Sequence, residues 1–278
     1  MRWDGDACPP RIMGILNVTP DSFSDGGHYP DVDAAVSAGL AMARDGAQWI
    51  DVGGESTRPG ATRVPAQQQI QRVVEVIANL AAQLPSDVGI SIDTTLAPVA
   101  QAALDAGAAM INDVSAGRDD PELLALAAER QVPMVLMHMR GEPATMQDQP
   151  RYDQVVDEVE AFLLERVEVA VQAGVSRSAI WMDPGIGFGK TTHQNVALLA
   201  GLPRLAGHGL PVLLGTSRKR FLEALVSGSL PPQDRVAGTC ATTAWGVQAG
   251  VAMFRVHDVA ANRQALMTAW AIKKASSG

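Results

Sequence analysis

Eight short apolar runs punctuate the chain, at 11–18, 49–53, 89–94, 110–114, 133–139, 180–184, 211–217 and 253–257. Each is too short for an ordinary helix, is mostly unalternated, and is rich in Val, Ile, Leu or Met. Strands covered on both faces read this way. Between the runs, apolar positions recur at helical spacing. Ile70, Val73, Val74, Ile77, Leu80 and Leu84 form one stripe. Val155, Val159, Phe162, Leu163 and Val167 form another, which Gly174 is placed to close. The pattern also predicts helices over 32–45, 98–106, 121–130, 194–205, 234–248 and 259–274. Strand then helix, eight times over, predicts an α/β fold, a single (β/α)8 TIM barrel. An open doubly wound sheet is not normally built from eight such units.

No Ser-, Gly- or Pro-rich linker divides the chain, so one domain over 1–278 is expected, with 1–10 as an N-terminal extension. The longest non-periodic stretches, 20–30, 55–65 and 140–151, each follow a strand. Loops after strands form the catalytic face of a barrel, which makes these three candidate lids.

Composition narrows the partners. The net charge of −8 argues against nucleic acid or an anionic membrane, though a small anion needs only a few local cations. Cys8 and Cys240 are far apart and form no CxxC pair, which speaks against a thiol redox or Cys-rich zinc site. With no apolar signal core at the N-terminus and no run long enough to span a bilayer, a cytoplasmic protein is expected.

Every apolar run ends in polar or ionisable residues. Asn17 closes the first, Asp51 lies in the second, and Asp93, Asn112, His138 and Asp183 follow on the third to sixth. Ser217 to Arg220 close the seventh, and Arg255 and His257 close the eighth. A single polar residue there reads as a loop cap, but eight converging ends read as a site. Asp93, Asn112 and Asp183 suit a flat, nitrogen-rich ring with several N–H donors. The cations Arg218, Lys219, Arg220, Arg255 and His257 fall where barrels commonly bind phosphate. Gly185-Ile-Gly-Phe-Gly-Lys190 lacks the glycines of a Walker A or dinucleotide loop and reads as a permissive turn beside a ligand. His138 reads equally as a hydrogen-bonded core histidine or as a ligand contact. Met134, Met137 and Met139 read as barrel packing.

These strand-end motifs resemble the dihydropteroate synthase family of folate biosynthesis. The likeness is carried, in the family's order, by residues 13–27, 51–60, 91–94, 111–114, 136–139, 183–190, 217–219 and 255–259. It implies condensation of 6-hydroxymethyl-7,8-dihydropterin pyrophosphate with p-aminobenzoate, a need for Mg²⁺, and a homodimer. It also implies roles. Asp93, Asn112, Asp183 and Lys219 would hold the pterin, and Asn17, Arg58, Arg255 and His257 the pyrophosphate. Asn17 would also lie near Mg²⁺. Phe23, Thr57, Pro59, Phe188 and Ser217 would shape the p-aminobenzoate pocket. Lys219, Arg255, His257 and Asp25 would be the catalytic group. An aniline nitrogen is already nucleophilic, so no Ser or Cys nucleophile is expected. Two alternatives share the ring site, a methyltetrahydrofolate-binding barrel of a corrinoid methyltransferase and a non-catalytic pterin-binding paralogue. The first needs neither the two lid loops nor the cation cluster. The intact Asn17, Lys219, Arg255 and His257 weigh against the second.

Overall fold

A computed structural model describes residues 8–19, 31–56, 63–141, 145–147, 150–226 and 228–276. Phe23, Asp25, Thr57, Arg58 and Pro59 lie outside the described residues. Among those described, strand and helix alternate as the pattern predicts. The elements are β1 (Arg11–Asn17), α1 (Val32–Arg44), β2 (Trp49–Gly53), α2 (Ala66–Gln83), β3 (Gly89–Asp93), α3 (Ala97–Asp105), β4 (Met110–Asp113), α4 (Glu122–Arg130) and β5 (Met134–Met137). They continue with α5 (Val155–Gln172), β6 (Ile180–Asp183), α6 (Thr192–Ala200), α7 (Leu202–Ala206), β7 (Leu213–Leu214), α8 (Arg220–Glu223), α9 (Val236–Gln248), β8 (Met253–Val256) and α10 (Val259–Ser276).

The strands are parallel and run β6-β5-β4-β3-β2-β1-β8-β7 around one sheet. A parallel bridge between Met182 and Val212, with Met182 N–H donating to Pro211 O at 2.9 Å, joins β6 to β7 and closes a (β/α)8 barrel. Two differences from the sequence reading have local causes. The strand predicted over 211–217 is regular only at 213–214, because the chain turns at Thr216, whose carbonyl accepts from Lys219 N–H. The helix predicted over 194–205 is two helices. Gly201 ends the first, and Pro203 sits in the opening turn of the second, where its missing N–H costs nothing.

Strand alternation sorts the interior into layers. Outward positions such as Ile50, Val52, Ile90, Ile92, Ile111 and Val256 pack beneath the helices. Inward positions at the N-terminal end, including Met13, Trp49, Met110, Val135, Trp181 and Met253, fill the barrel floor with a separate apolar cluster. Two residues further along, the inward positions become Asp51, Asn112, Asp183 and Arg255, and on β3 they are Ser91 and Asp93. The runs look unalternated because both faces are buried, and the inward face changes from apolar to polar only near the mouth.

The face of α2 is rotated slightly from the predicted stripe. Gln69, Val73, Val76, Ile77 and Leu80 are its buried residues, and Ile70 and Val74 are half-buried. Gln69 is drawn inward by its bonds. Its amide donates to Glu55 at 2.6 Å and to Val64 O at 2.9 Å, and it accepts from Thr94 at 3.2 Å. It thereby clamps both ends of the loop after β2. At the end of α5, Ala173 is the cap and Gly174 follows at φ +99°, as a helix-terminating glycine does.

Candidate active site

The polar residues of the barrel mouth form one connected set. Arg255 on β8 donates from Nε to Asp51 on β2 and from Nη2 to Asp93 on β3, each at 2.6 Å. Asn112 on β4 donates from Nδ2 to the same Asp51 oxygen at 3.0 Å. Asp93 and Asn112 are register partners on adjacent strands, so their side chains point into the barrel together. Burial raises the Asp93 carboxyl, and the Arg255 guanidinium beside it pulls it back down. Arg255 is held charged against its own burial by Asp51 and Asp93.

Asp183 closes the ring of acceptors from β6. Its Oδ1 accepts from Gly185 N–H at 2.7 Å. Burial raises this carboxyl, and Lys219 is the leading opposing charge. Lys219 places Nζ 4.5 Å from the Phe188 ring centroid and donates to Ile186 O. Although the Lys219 side chain is only partly covered, its ammonium is desolvated at the mouth, which lowers it to about 8. Gly187 and Gly215 leave the room it occupies. A Cβ at Gly187 would lie 2.9 Å from Lys219 Cδ, and one at Gly215 would lie 3.9 Å from both Lys219 Nζ and Arg255 Cβ.

The turn after β6 is fixed by a buried lysine. Lys190 donates to His138 Nδ1, Gly185 O and Phe188 O, each at 2.9 Å. Burial, reinforced by the Lys190 charge, drives the His138 imidazole down to about 2. His138 is buried with its Nδ1 beside the Lys190 ammonium, as a hydrogen-bonded core histidine is. Gly185 and Gly189 both have positive φ, and a Cβ on either would collide with backbone, 1.9 Å from His138 O and 2.3 Å from Arg140 O. The turn holds Phe188 over Met137 and Met139, which pack with Val114 and Met146. Met134 instead faces the helices, so the methionine run divides between core and site floor.

Ser217 and His257, assigned to different subsites by resemblance, touch. Ser217 Oγ accepts from His257 N–H at 3.1 Å and lies 2.9 Å from its Nδ1. With the hydroxyl donating to Nδ1, the ring proton sits on Nε2 as a donor. Asn17 ends β1 opposite Gly53 of β2. A Cβ on Gly53 would lie 3.7 Å from Asn17 Oδ1 and 3.8 Å from Asp93 Oδ2, so the glycine leaves open space beside these two oxygens.

The predicted cation cluster is smaller than its sequence. Lys219, Arg255 and His257 converge on the mouth. Arg218, at φ +59°, turns away to pair with Asp258 at 2.6 Å. Arg220 is exposed at the start of α8. Sequence reading assigned no role to Asp51 or Lys190. The signal was present in both, a charged residue inside an apolar run and a lysine closing a glycine turn, but the Asp51 partners lie on β4 and β8, and the Lys190 side chain folds back onto its own turn and onto His138 after β5.

Among the described residues, no three His, Cys, Asp or Glu side chains form a metal cage, and no helix is long and apolar enough to cross a membrane. Mg²⁺ at such a site would take one or two protein oxygens and complete its octahedron with water and substrate phosphate, so a full cage is not required.

Comparison with known proteins agrees with this geometry. The pterin binding enzyme family matches residues 13–257. The dihydropteroate synthase of Mycobacterium leprae is 49% identical over 263 residues, covering 93% of this chain and 92% of the relative. Among solved structures, Xanthomonas albilineans dihydropteroate synthase with 4-aminobenzoic acid superposes with a TM-score of 0.88 at 50% identity, covering 95% of this chain and 93% of that one. The same organism's enzyme in complex with 7,8-dihydropteroate superposes with a TM-score of 0.85 at 45% identity, covering 98% and 99%.

Proposed function

The chain belongs to the family of pterin-binding enzymes, and on that premise we propose that its barrel mouth performs the dihydropteroate synthase reaction. It is a transferase of a pterinylmethyl group, and the partners are 6-hydroxymethyl-7,8-dihydropterin pyrophosphate and p-aminobenzoate. The observation that carries this reading is the convergence in one mouth of acceptors from β3, β4 and β6 with Arg255 of β8 and with Lys219 and His257 from the turns after β7 and β8.

The chemistry follows from that division. Asp93, Asn112 and Asp183 accept from the N–H groups of the pterin, and Lys219 donates to a ring acceptor. The methylene C–O bond breaks, its electron pair leaves on the pyrophosphate oxygen, and the cation left behind is delocalised into the ring. The aniline lone pair forms the new C–N bond, and the nitrogen then releases one proton. Arg255 and the His257 Nε2–H stabilise the departing anion through charge-assisted and preorganised hydrogen bonds. Phe188 and Ser217 line the approach of p-aminobenzoate. Phe23, Asp25, Thr57, Arg58 and Pro59 complete the assignment on the two loops expected to exclude water from the cation.

Mg²⁺ supplies counter-charge to the pyrophosphate when bound. Asn17 Oδ1, beside the space that Gly53 leaves open, would be its protein ligand. We further propose a cytoplasmic homodimer. The exposed apolar side chains of Val196, Trp245, Met267 and Ile272 on the outer helices support self-association.

Substrate labelled with ¹⁸O in the bridging C–O–P position tests the reaction. The reading requires the label to leave wholly in pyrophosphate. Label retained on a pterin carbinol would mean hydrolysis at phosphorus and would contradict it.

A further inference from the structure

Asp51 is fully buried, one layer below the ring of acceptors. On the strand ladder it lies level with Ser91, while Asp93 lies level with Gly53, two residues nearer the mouth. A single oxygen of Asp51, Oδ2, accepts both from Arg255 Nε at 2.6 Å and from Asn112 Nδ2 at 3.0 Å. Its other oxygen, Oδ1, has no hydrogen-bond partner among the described residues.

Two consequences follow from the donor and acceptor inventory. A carboxylate only accepts, so Asp51 fixes which end of the Asn112 amide faces it. The NH₂ turns inward and the carbonyl oxygen is left for a ligand N–H. Arg255 is held at two points that differ in depth. Its Nε bond to Asp51 lies beneath the mouth, where ligand has no access. Its Nη2 bond to Asp93 lies where the ring must bind.

We propose that Asp51 is a positioning residue for the transfer reaction. It sets the Asn112 amide to accept from the pterin, and it is the fixed pivot on which Arg255 stays in the site when the pterin takes Asp93. Asp93 is then the exchangeable partner. Ring binding breaks the Asp93 to Nη2 bond and frees that N–H pair to meet the leaving anion. Asp51 touches neither substrate. Its role rests on the pterin-transfer reading above and adds a residue to it.

The geometry separates two variants. Asp51→Ala removes the shared acceptor. Asp51→Asn retains an amide oxygen that accepts both bonds, and its NH₂ takes the position of the unpartnered Oδ1. Calorimetry with 6-hydroxymethylpterin is expected to show at least tenfold weaker binding for Asp51→Ala and binding within about threefold of wild type for Asp51→Asn. The KM for the pterin substrate should rise in Asp51→Ala while that for p-aminobenzoate holds, a split that general loosening of the barrel would not give. Unchanged affinity in Asp51→Ala, or an Asp51→Asn loss as large as the Asp51→Ala loss, overturns the proposal. Crystals of the wild-type protein with the same pterin make the test independent of how the variants fold. The proposal expects Arg255 Nε still on Asp51 with Asp93 on the ring, and Arg255 detached from Asp51 refutes it. Wild-type protein that neither binds the pterin nor turns over would instead sink the reaction itself.

Discussion

The guanidinium of Arg255 bridges the barrel mouth to Asp93 at 2.6 Å, from the eighth strand to the third. One side chain therefore serves both the ring site and the anion site. Arg255→Ala should fold but lose turnover by about a hundredfold or more, the range seen when a preorganised donor to a developing anion is removed. Wild-type rates in that variant would remove Arg255 from the chemistry.

The same substitution leaves Asp51 and Asp93 buried without their cation. Burial already raises Asp93, and loss of Arg255 raises it further. A carboxyl raised in the folded state stabilises below its unfolded pKa, and that stability is lost as pH rises through the folded value. The Tm deficit of Arg255→Ala against wild type should therefore be larger at pH 8 than at pH 5. The upper bound is the roughly 3–5 kcal/mol cost of breaking a buried ion pair. A deficit independent of pH would show that Asp93 does not take up the proton.

Lys219 is lowered to about 8 because its ammonium is desolvated, against the pull of Asp183. Pterin affinity should fall as pH rises past 8 and this donor loses its charge, and Lys219→Met should bind weakly with little pH dependence. A lysine depressed in the folded state contributes stability above its unfolded pKa, and that contribution is lost as pH falls through the folded value. Lys219→Met should therefore be more stable than wild type at pH 7, by about 1–2 kcal/mol after allowing for its partial exposure, with the gain shrinking towards pH 10. Urea titrations at the two pH values check the sign.

Lys190 satisfies three acceptors at once beneath the glycine turn. Lys190→Met should cost about 2–4 kcal/mol by taking the Lys190 donor from His138 Nδ1 and Phe188 O, while Gly185 O keeps the Phe188 N–H. It should also raise the KM for p-aminobenzoate by releasing Phe188. A variant of unchanged stability would show that the turn holds without it.

Asp93→Ala should weaken pterin binding by about ten- to a hundredfold in calorimetry, the cost of one charged hydrogen-bond partner. Unchanged affinity would refute the ring-site assignment.

The barrel was legible because strands covered on both faces and helices covered on one leave different periods in the chain. The ring site was legible because Asp93, Asn112 and Asp183 stand at the ends of apolar runs, where packing alone has no use for them. Pairings between strands were not legible. Arg218 follows the seventh apolar run and Arg255 lies in the eighth, yet one pairs with Asp258 and the other crosses to Asp51 and Asp93. Barrel register decides that difference, and sequence spacing does not encode it. Asp51 was hidden for the same reason, since both its partners are more than sixty positions away. Strand seven was overread because Pro211 to Ser217 has strand composition while its end is a turn.

The most direct measurement incubates the purified protein with 6-hydroxymethyl-7,8-dihydropterin pyrophosphate, p-aminobenzoate and Mg²⁺ and follows both products. Dihydropteroate and pyrophosphate should form in equal amounts, and neither should form without p-aminobenzoate. The absence of both products from the complete mixture would contradict the account.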